Sequence, residues 1–205
     1  MKILKLTLIL VLSLATFCCA QDKSLLIDDF ENPISGGPEG TVDFGAGNGS
    51  SVDVKADADI KNSGKQSLKI SYAATPGGYM WVARGFGLDA QNADWLVKSE
   101  AIDWPKYKAI SFYMYGSNSR AQIAFDIKDA GGEMWRFMLE DNCKGWKKIA
   151  CPFNAFFARS DWQPDNADKN SVLDFPIRSF QFELLPEAKG TLYFDTAELV
   201  SNIDK

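Results

Sequence analysis

The chain has 205 residues, 46% of them apolar and 13% aromatic, enough material for a domain-sized hydrophobic core. Its 22 basic and 27 acidic residues give a net charge of −5, the opposite of a nucleic-acid binder's basic footprint. It contains no histidine, which excludes Ser-His-Asp and Cys-His catalysis, histidine-ligated zinc and a histidine pH switch.

The chain opens with a basic Met1–Lys5, an apolar Leu6–Phe17 and the small residues Cys18-Cys19-Ala20. This is the pattern of a secretory signal, short for a membrane span, with cleavage expected after Ala20. Loss of Lys2 and Lys5 would deepen the net charge to −7. Lipidation of Cys18 or Cys19 is the rival reading, disfavoured by the bulky Phe17 ahead of them. No later apolar run is long enough to cross a bilayer, so residues 21–205 are expected as one domain, secreted, periplasmic or at the cell surface.

After the signal, the pattern is short strands punctuated by turns. Leu25–Phe30 is the first, followed by a Gly- and Pro-rich stretch, Asn32–Ser51, in which Gly45–Ser50 is expected to be a surface loop. It lacks the following helix and the Lys-Ser/Thr pair of a phosphate loop. Gln66–Tyr72 alternates polar and apolar residues, and Tyr79–Arg84 follows the turn Pro76-Gly77-Gly78. Ala109–Tyr115, Ala121–Lys128, Met134–Glu140, Trp146–Phe153, Ser179–Leu185 and Thr191–Leu199 complete the set, with Asn154–Arg159 as a single helical turn. The spacing predicts an all-β fold, a sandwich or jelly roll of two antiparallel sheets. Cys143 and Cys151 stand at the two ends of one hairpin strand. Five extended residues cover about 16 Å, and a disulfide needs Cα atoms within about 7 Å, so no local bridge is expected. Cys151 alternates with Ile149 and Phe153 and is expected to be buried.

Alternation also sorts the faces. Ile110, Phe112 and Met114 oppose Ser111, Tyr113 and Tyr115; Ile123, Phe125 and Ile127 oppose Gln122 and Asp126. Trp135, Phe137 and Leu139 oppose Arg136 between two methionines; Phe180, Phe182 and Leu184 oppose Gln181 and Glu183. The non-core faces thus mix aromatic rings with Asp, Glu, Gln and Arg. That mixture suits a sugar, whose apolar C–H faces stack on rings and whose hydroxyls take bidentate hydrogen bonds.

The run from Trp146-Lys147 through Pro152-Phe153 to Arg159-Ser160-Asp161-Trp162-Gln163-Pro164 resembles the family 11 carbohydrate-binding modules, β-jelly rolls attached to bacterial β-glucanases. The opening Leu26–Glu31, the element Gly77-Gly78-Tyr79-Met80-Trp81, the strand Lys108–Phe112 and the tail Gly190–Asp195 extend the similarity over about Ser24 to Ser201. The resemblance implies non-catalytic binding of β-1,4 or mixed-linkage β-1,3-1,4 glucan on a concave sheet. It makes Tyr79 a stacking platform and Arg159 and Asp161 hydroxyl partners, with Trp162 where the family has a tyrosine; Gln181 and Glu183 join them from the outward face of their strand. The chain departs from the family at Arg178 and Leu184, where an aspartate and a tyrosine stand. The resemblance further implies a structural Ca²⁺ clamping the first and last strands through Glu31 and Asp195, with Asp29 as third ligand and carbonyls of Lys65–Ser67. The implied partners are a β-glucan and a separate glycoside hydrolase chain.

Two other readings compete. A glycosidase would need a carboxylate pair, for which Asp126 with Glu183 or Glu133 with Glu140 are candidates. A structural or assembly β-sandwich of cell-surface or flagellar-sheath type is the other, with Cys143–Lys147 as its matching element.

Overall fold

The computed structural model describes residues 24–203, so the signal sequence and Cys18 and Cys19 lie outside the described residues. Twelve strands build two antiparallel sheets. They are β1 (Ser24–Asp28), β2 (Asp43–Gly47), β3 (Ser51–Asp57), β4 (Ser67–Ala73), β5 (Tyr79–Gly85) and β6 (Ala109–Ser117), then β7 (Gln122–Lys128), β8 (Met134–Glu140), β9 (Lys144–Pro152), β10 (Phe157–Ala158), β11 (Ser179–Leu184) and β12 (Lys189–Val200). Among the described residues, helix is confined to three 3-10 turns, at Ser99–Ala101, Trp104–Lys106 and Phe153–Ala155.

The first sheet runs β3-β4-β12-β6-β9, and β1 pairs with the second half of β12 beyond the end of β4. The second runs β10-β8-β7-β11-β5-β2. Period-2 alternation gives each strand one apolar face, and the two apolar faces close on each other. Phe112 and Phe194 of the first sheet meet Phe182 of the second, with ring centroids 5.1 and 3.8 Å away, and Phe125 lies 4.8 Å from Phe112. All are essentially inaccessible to solvent. Cys151 is buried opposite Ile110, and Cys143 and Cys151 are both free thiols.

One ion pair is built into this core. Arg84 donates from Nε and Nη2 to the two oxygens of Asp28, at 2.6 and 2.9 Å, and from Nη1 to the carbonyl of Thr41. Asp28 also accepts the N–H of Phe30, which stands at a φ of 56°. Burial pushes the Asp28 carboxyl up, against the charge of Arg84. The Asp28-Asp29-Phe30 opening is therefore a structural knot that ties β1 to β5 across the sandwich.

The expected strands appear within a few residues of their expected bounds, and three segments differ. Ser51–Asp57 is a strand, β3, paired along β4 where no strand was expected. Asp43–Gly47 is an edge strand paired with β5, and the expected surface loop shrinks to the turn that carries the chain from β2 into β3. Asn154–Arg159 splits into the turn at Phe153–Ala155 and the two-residue strand β10 on β8.

The calcium clamp is not met by the placement of its expected ligands. The Glu31 oxygens accept the N–H groups of Lys65 and Gln66, and Asp195 accepts those of Asn62 and Ser63. Asp29 accepts the N–H of Glu31. Among the described residues, no group of three or more acidic or thiol side chains gathers in a way that could hold a metal. The donors facing these oxygens are backbone N–H groups and, at Asp195, the hydroxyls of Ser63 and Thr196. The 62–66 loop is thus fastened by direct hydrogen bonds, and the residues do not fit a Ca²⁺ site made of Asp29, Glu31 and Asp195.

Candidate functional site

The outward face of the second sheet collects the polar and aromatic side chains. Strand register puts Asp43, Ala83, Gln181, Asp126, Arg136 and Phe157 in one transverse row, each opposite the next on the neighbouring strand. Because side chains alternate, residues two positions along make the adjacent row: Gly45 opposite Trp81, and Glu183 opposite Ala124, itself opposite Met138.

Asp126 is the hub of the first row. Its side chain is fully buried and accepts four hydrogen bonds: from Arg136 Nε and Nη2 at 2.8 and 2.9 Å, Arg159 Nη1 at 2.9 Å and Gln181 Nε2 at 3.2 Å. Arg136 also reaches Glu183 at 2.5 Å, and Arg159 reaches Glu183 at 3.0 Å and both oxygens of Asp161 at 3.1 and 2.8 Å. Two guanidiniums thus share three carboxylates. The Arg159 hydrogen bond and charge hold the Asp161 carboxyl at about 2, well below the usual carboxylate range. Burial pushes Glu183 up, opposed by the charges of Arg159 and Arg136. Burial works against the Arg136 charge as well, but the bonds and charges of its carboxylate partners raise its pKa. Every member is thus held in a fixed orientation by another member of the network.

The loop after β10 is fixed to the sheet by Gln163, which accepts the Met134 N–H and donates to the carbonyls of Met134 and Arg159. This pins Arg159 inward, 8% exposed, and leaves Trp162 outward, 55% exposed, with the Arg159 guanidinium 5.6 Å from its ring centroid. At the opposite side of the sheet Tyr79 is 51% exposed on β5, with Trp81 beside it. The indole N–H of Trp81 donates to Asp43 at 2.9 Å.

The structure therefore places Tyr79, Arg159, Asp161, Trp162, Gln181 and Glu183 on one face, with Arg159, Asp161, Gln181 and Glu183 joined in one network around Asp126. Sequence reasoning set Asp126 and Arg136 on the outward faces and paired Asp126 with Glu183 as a glycosidase candidate, but it named none of Asp126, Arg136 and Trp81 as a sugar contact. Their signal was parity: Asp126 and Arg136 face outward by alternation, and Trp81 shares a face with Tyr79 two residues earlier. Leu184, at a departure from the family pattern, points into the core. Of the carboxylate pairs, Asp126 and Glu183 do share a site, each engaged by both arginines, whereas Glu133 precedes the start of β8 and Glu140 ends it.

The chain is 27% identical over 183 residues to Endoglucanase H of Acetivibrio thermocellus, covering 85% of this chain but only 18% of that protein. Its fold matches the family 11 carbohydrate-binding module from Clostridium thermocellum in complex with a β-1,3-1,4-mixed-linked tetrasaccharide, at a TM-score of 0.67 and 24% identity, covering 89% of this chain and 98% of that one. The module of the cellulosomal cellulase Lic26A-Cel5E of Clostridium thermocellum matches equally, at a TM-score of 0.67 and 22% identity over 91% and 99% of the two chains. The sequence model of the carbohydrate binding domain (family 11) matches residues 16–202, nearly the whole chain. The protein belongs to the family 11 carbohydrate-binding domains.

Proposed function

We propose that the chain binds β-glucan, β-1,4 or mixed-linkage β-1,3-1,4, as an intact polysaccharide laid across the outward face of the second sheet. The observation that carries this reading is the meeting, on that face, of exposed rings with hydrogen-bonding groups already fixed in orientation. Tyr79 and Trp162 offer their faces to sugar C–H groups, and Arg159, Asp161, Gln181 and Glu183 serve the hydroxyls. The mixed-linked tetrasaccharide bound by the Clostridium thermocellum module supports the choice of ligand.

The glycan is bound and not cut. A glycosidase needs one carboxylic acid free to give its proton and a second carboxylate set for attack or water activation. Here Asp126, Asp161 and Glu183 are all engaged by Arg136 and Arg159. The domain would then hold a glycoside hydrolase against its polysaccharide, a role supported by the endoglucanase of which a segment matches this chain. The N-terminal signal pattern supports export, and no described helix is long and apolar enough to cross a membrane.

Native electrophoresis through gels with and without soluble mixed-linkage β-glucan tests this reading. Retardation in the glucan gel, with no new reducing ends in solution, is expected. Equal mobility in both gels would contradict it, and release of reducing ends would make the protein an enzyme.

A further inference from the structure

We propose that Tyr79 and Trp81 form one two-ring platform that seats two consecutive, flat-lying sugar rings, and that Gly45 and Gly47 of β2 exist to let it lie flat. The inference rests on the glycan-binding reading above and assigns Trp81, with the glycine pair, a part in ligand selection.

Gly45 stands directly opposite Trp81, and Gly47 opposite Tyr79. Glycine inside a strand weakens it, and it needs a reason. Backbone conformation is not the reason, because neither residue has a positive φ. The reason is steric: a Cβ on Gly45 would stand 2.5 Å from Trp81 Cη2, and one on Gly47 would stand 2.4 Å from Tyr79 Cζ. Both aromatic side chains lean from β5 across β2, and their far ends occupy the space where the glycines have no side chain. Aromatic cover of an edge-strand glycine is a recognised stabilising arrangement.

The result is a flat surface. The two ring planes differ by 13° and their centroids are 6.2 Å apart. Two strand residues advance about 6.7 Å, and each ring turns its face to the glycine below it. Cη2, Cζ2 and Cζ3 of Trp81 stand 2.5, 2.7 and 3.1 Å from the Gly45 Cβ position, and Cζ, Oη and Cε1 of Tyr79 stand 2.4, 2.5 and 2.7 Å from that of Gly47, so the rings lie side by side over β2. The indole is fixed further by its N–H bond to Asp43, whose second oxygen accepts the N–H of Asp89 at 2.9 Å. Beside the platform, Gln181 on β11 stands opposite Ala83 of β5, and Glu183 lies two residues further along the same face. A sugar seated on Trp81 would have its hydroxyl edge toward these groups.

Side-by-side rings in one plane match a chain whose successive pyranoses present flat faces in line, as equatorially linked β-glucans do. A coiling α-1,4-linked chain would lay only one ring on the platform. Calorimetric titration with cellotetraose, a mixed-linkage β-glucan tetrasaccharide and maltotetraose, on the wild type, Trp81→Ala, Gly45→Val and Gly190→Ala, tests this. Gly190 is the control, since a Cβ there meets nothing closer than 3.5 Å and lies on the other sheet. Trp81→Ala and Gly45→Val should each lose about tenfold or more in affinity for the β-linked sugars, the scale of losing one aromatic stack. Gly190→Ala should bind as the wild type does, and the wild type should bind maltotetraose at least about tenfold more weakly than cellotetraose. Melting curves report whether each variant is folded; if Gly45→Val is not, Asp43→Ala, which removes the acceptor of the indole N–H, takes its place with the same expected loss. Wild-type affinity in folded Trp81→Ala, or in whichever of Gly45→Val and Asp43→Ala is used, would overturn the platform and leave glycan binding standing. Failure of the wild type to bind either β-linked sugar would overturn both.

Discussion

Replacing Asp126 by asparagine removes one charge at the centre of the proposed binding face and keeps the side chain's shape. Asp126 accepts four hydrogen bonds, three of them from guanidiniums, and its side chain is completely buried. In the variant one oxygen becomes an NH₂ group that faces guanidinium donors, so at least one contact turns from attraction to repulsion. Two cations then face only Glu183 and the half-exposed Asp161. Breaking a buried ion pair by removing one partner costs about 3–5 kcal/mol. Because Glu183 and Asp161 still neutralise the arginines in part, the lower end, about 3 kcal/mol, is expected. For a domain of this size that corresponds to a fall in Tm of about 6–12 °C. Urea denaturation measures the loss directly, with an unchanged m-value confirming that the folded state is the same one. Glucan affinity should fall too at temperatures where the variant is folded, since Arg136, Arg159 and Gln181 all lose their common anchor. A stability loss under about 1 kcal/mol, with glucan affinity intact, would refute the network as an organising element.

Trp162→Ala should cost about 1–3 kcal/mol of glucan affinity, the scale of base–aromatic stacking, and leave Tm nearly unchanged because the ring is 55% exposed; a large fall in Tm would make it a packing residue. Phe182→Ala, between Phe112 and Phe194, should destabilise the fold by about 3–5 kcal/mol in urea, and a loss below about 1 kcal/mol would contradict the packing described. Asp161 sits at about 2 in the folded protein against an ordinary 3.8, so its pairing with Arg159 contributes stability above about pH 4 that is lost as pH falls towards 2. Stability should therefore fall less steeply over that window in Asp161→Asn than in the wild type, and parallel curves would show that the pair contributes nothing.

Much of this was legible in the sequence, and the reasons are local ones. β4 to β9 and β11 carry clear period-2 alternation, and Met134–Glu140 matches its strand end to end. Arg159, Asp161 and Trp162 stand within four residues, so a local run was enough to mark them. The strand β2 was not legible, because Gly45 and Gly47 are loop residues by composition and become strand residues only through the rings of Tyr79 and Trp81 above them. Asp126 was placed outward by parity, but its role needs β7, β8, β11 and the loop after β10 to meet. The acids assigned to a calcium clamp show a different limit. Glu31 and Asp195 do converge on one loop, yet spacing along the chain says nothing about whether their oxygens meet carbonyls or N–H groups.

The central claim is that this face holds an intact β-glucan chain, and isothermal titration with a mixed-linkage β-glucan hexasaccharide tests it most directly, with xylo- and manno-oligosaccharides of equal length alongside. The account predicts saturable, exothermic binding of the glucan at micromolar to low millimolar Kd, weaker binding of the other two, and an intact hexasaccharide recovered at the end. Absence of heat with every sugar, under conditions where the protein melts cooperatively, would contradict it and leave a β-sandwich whose polar face serves assembly.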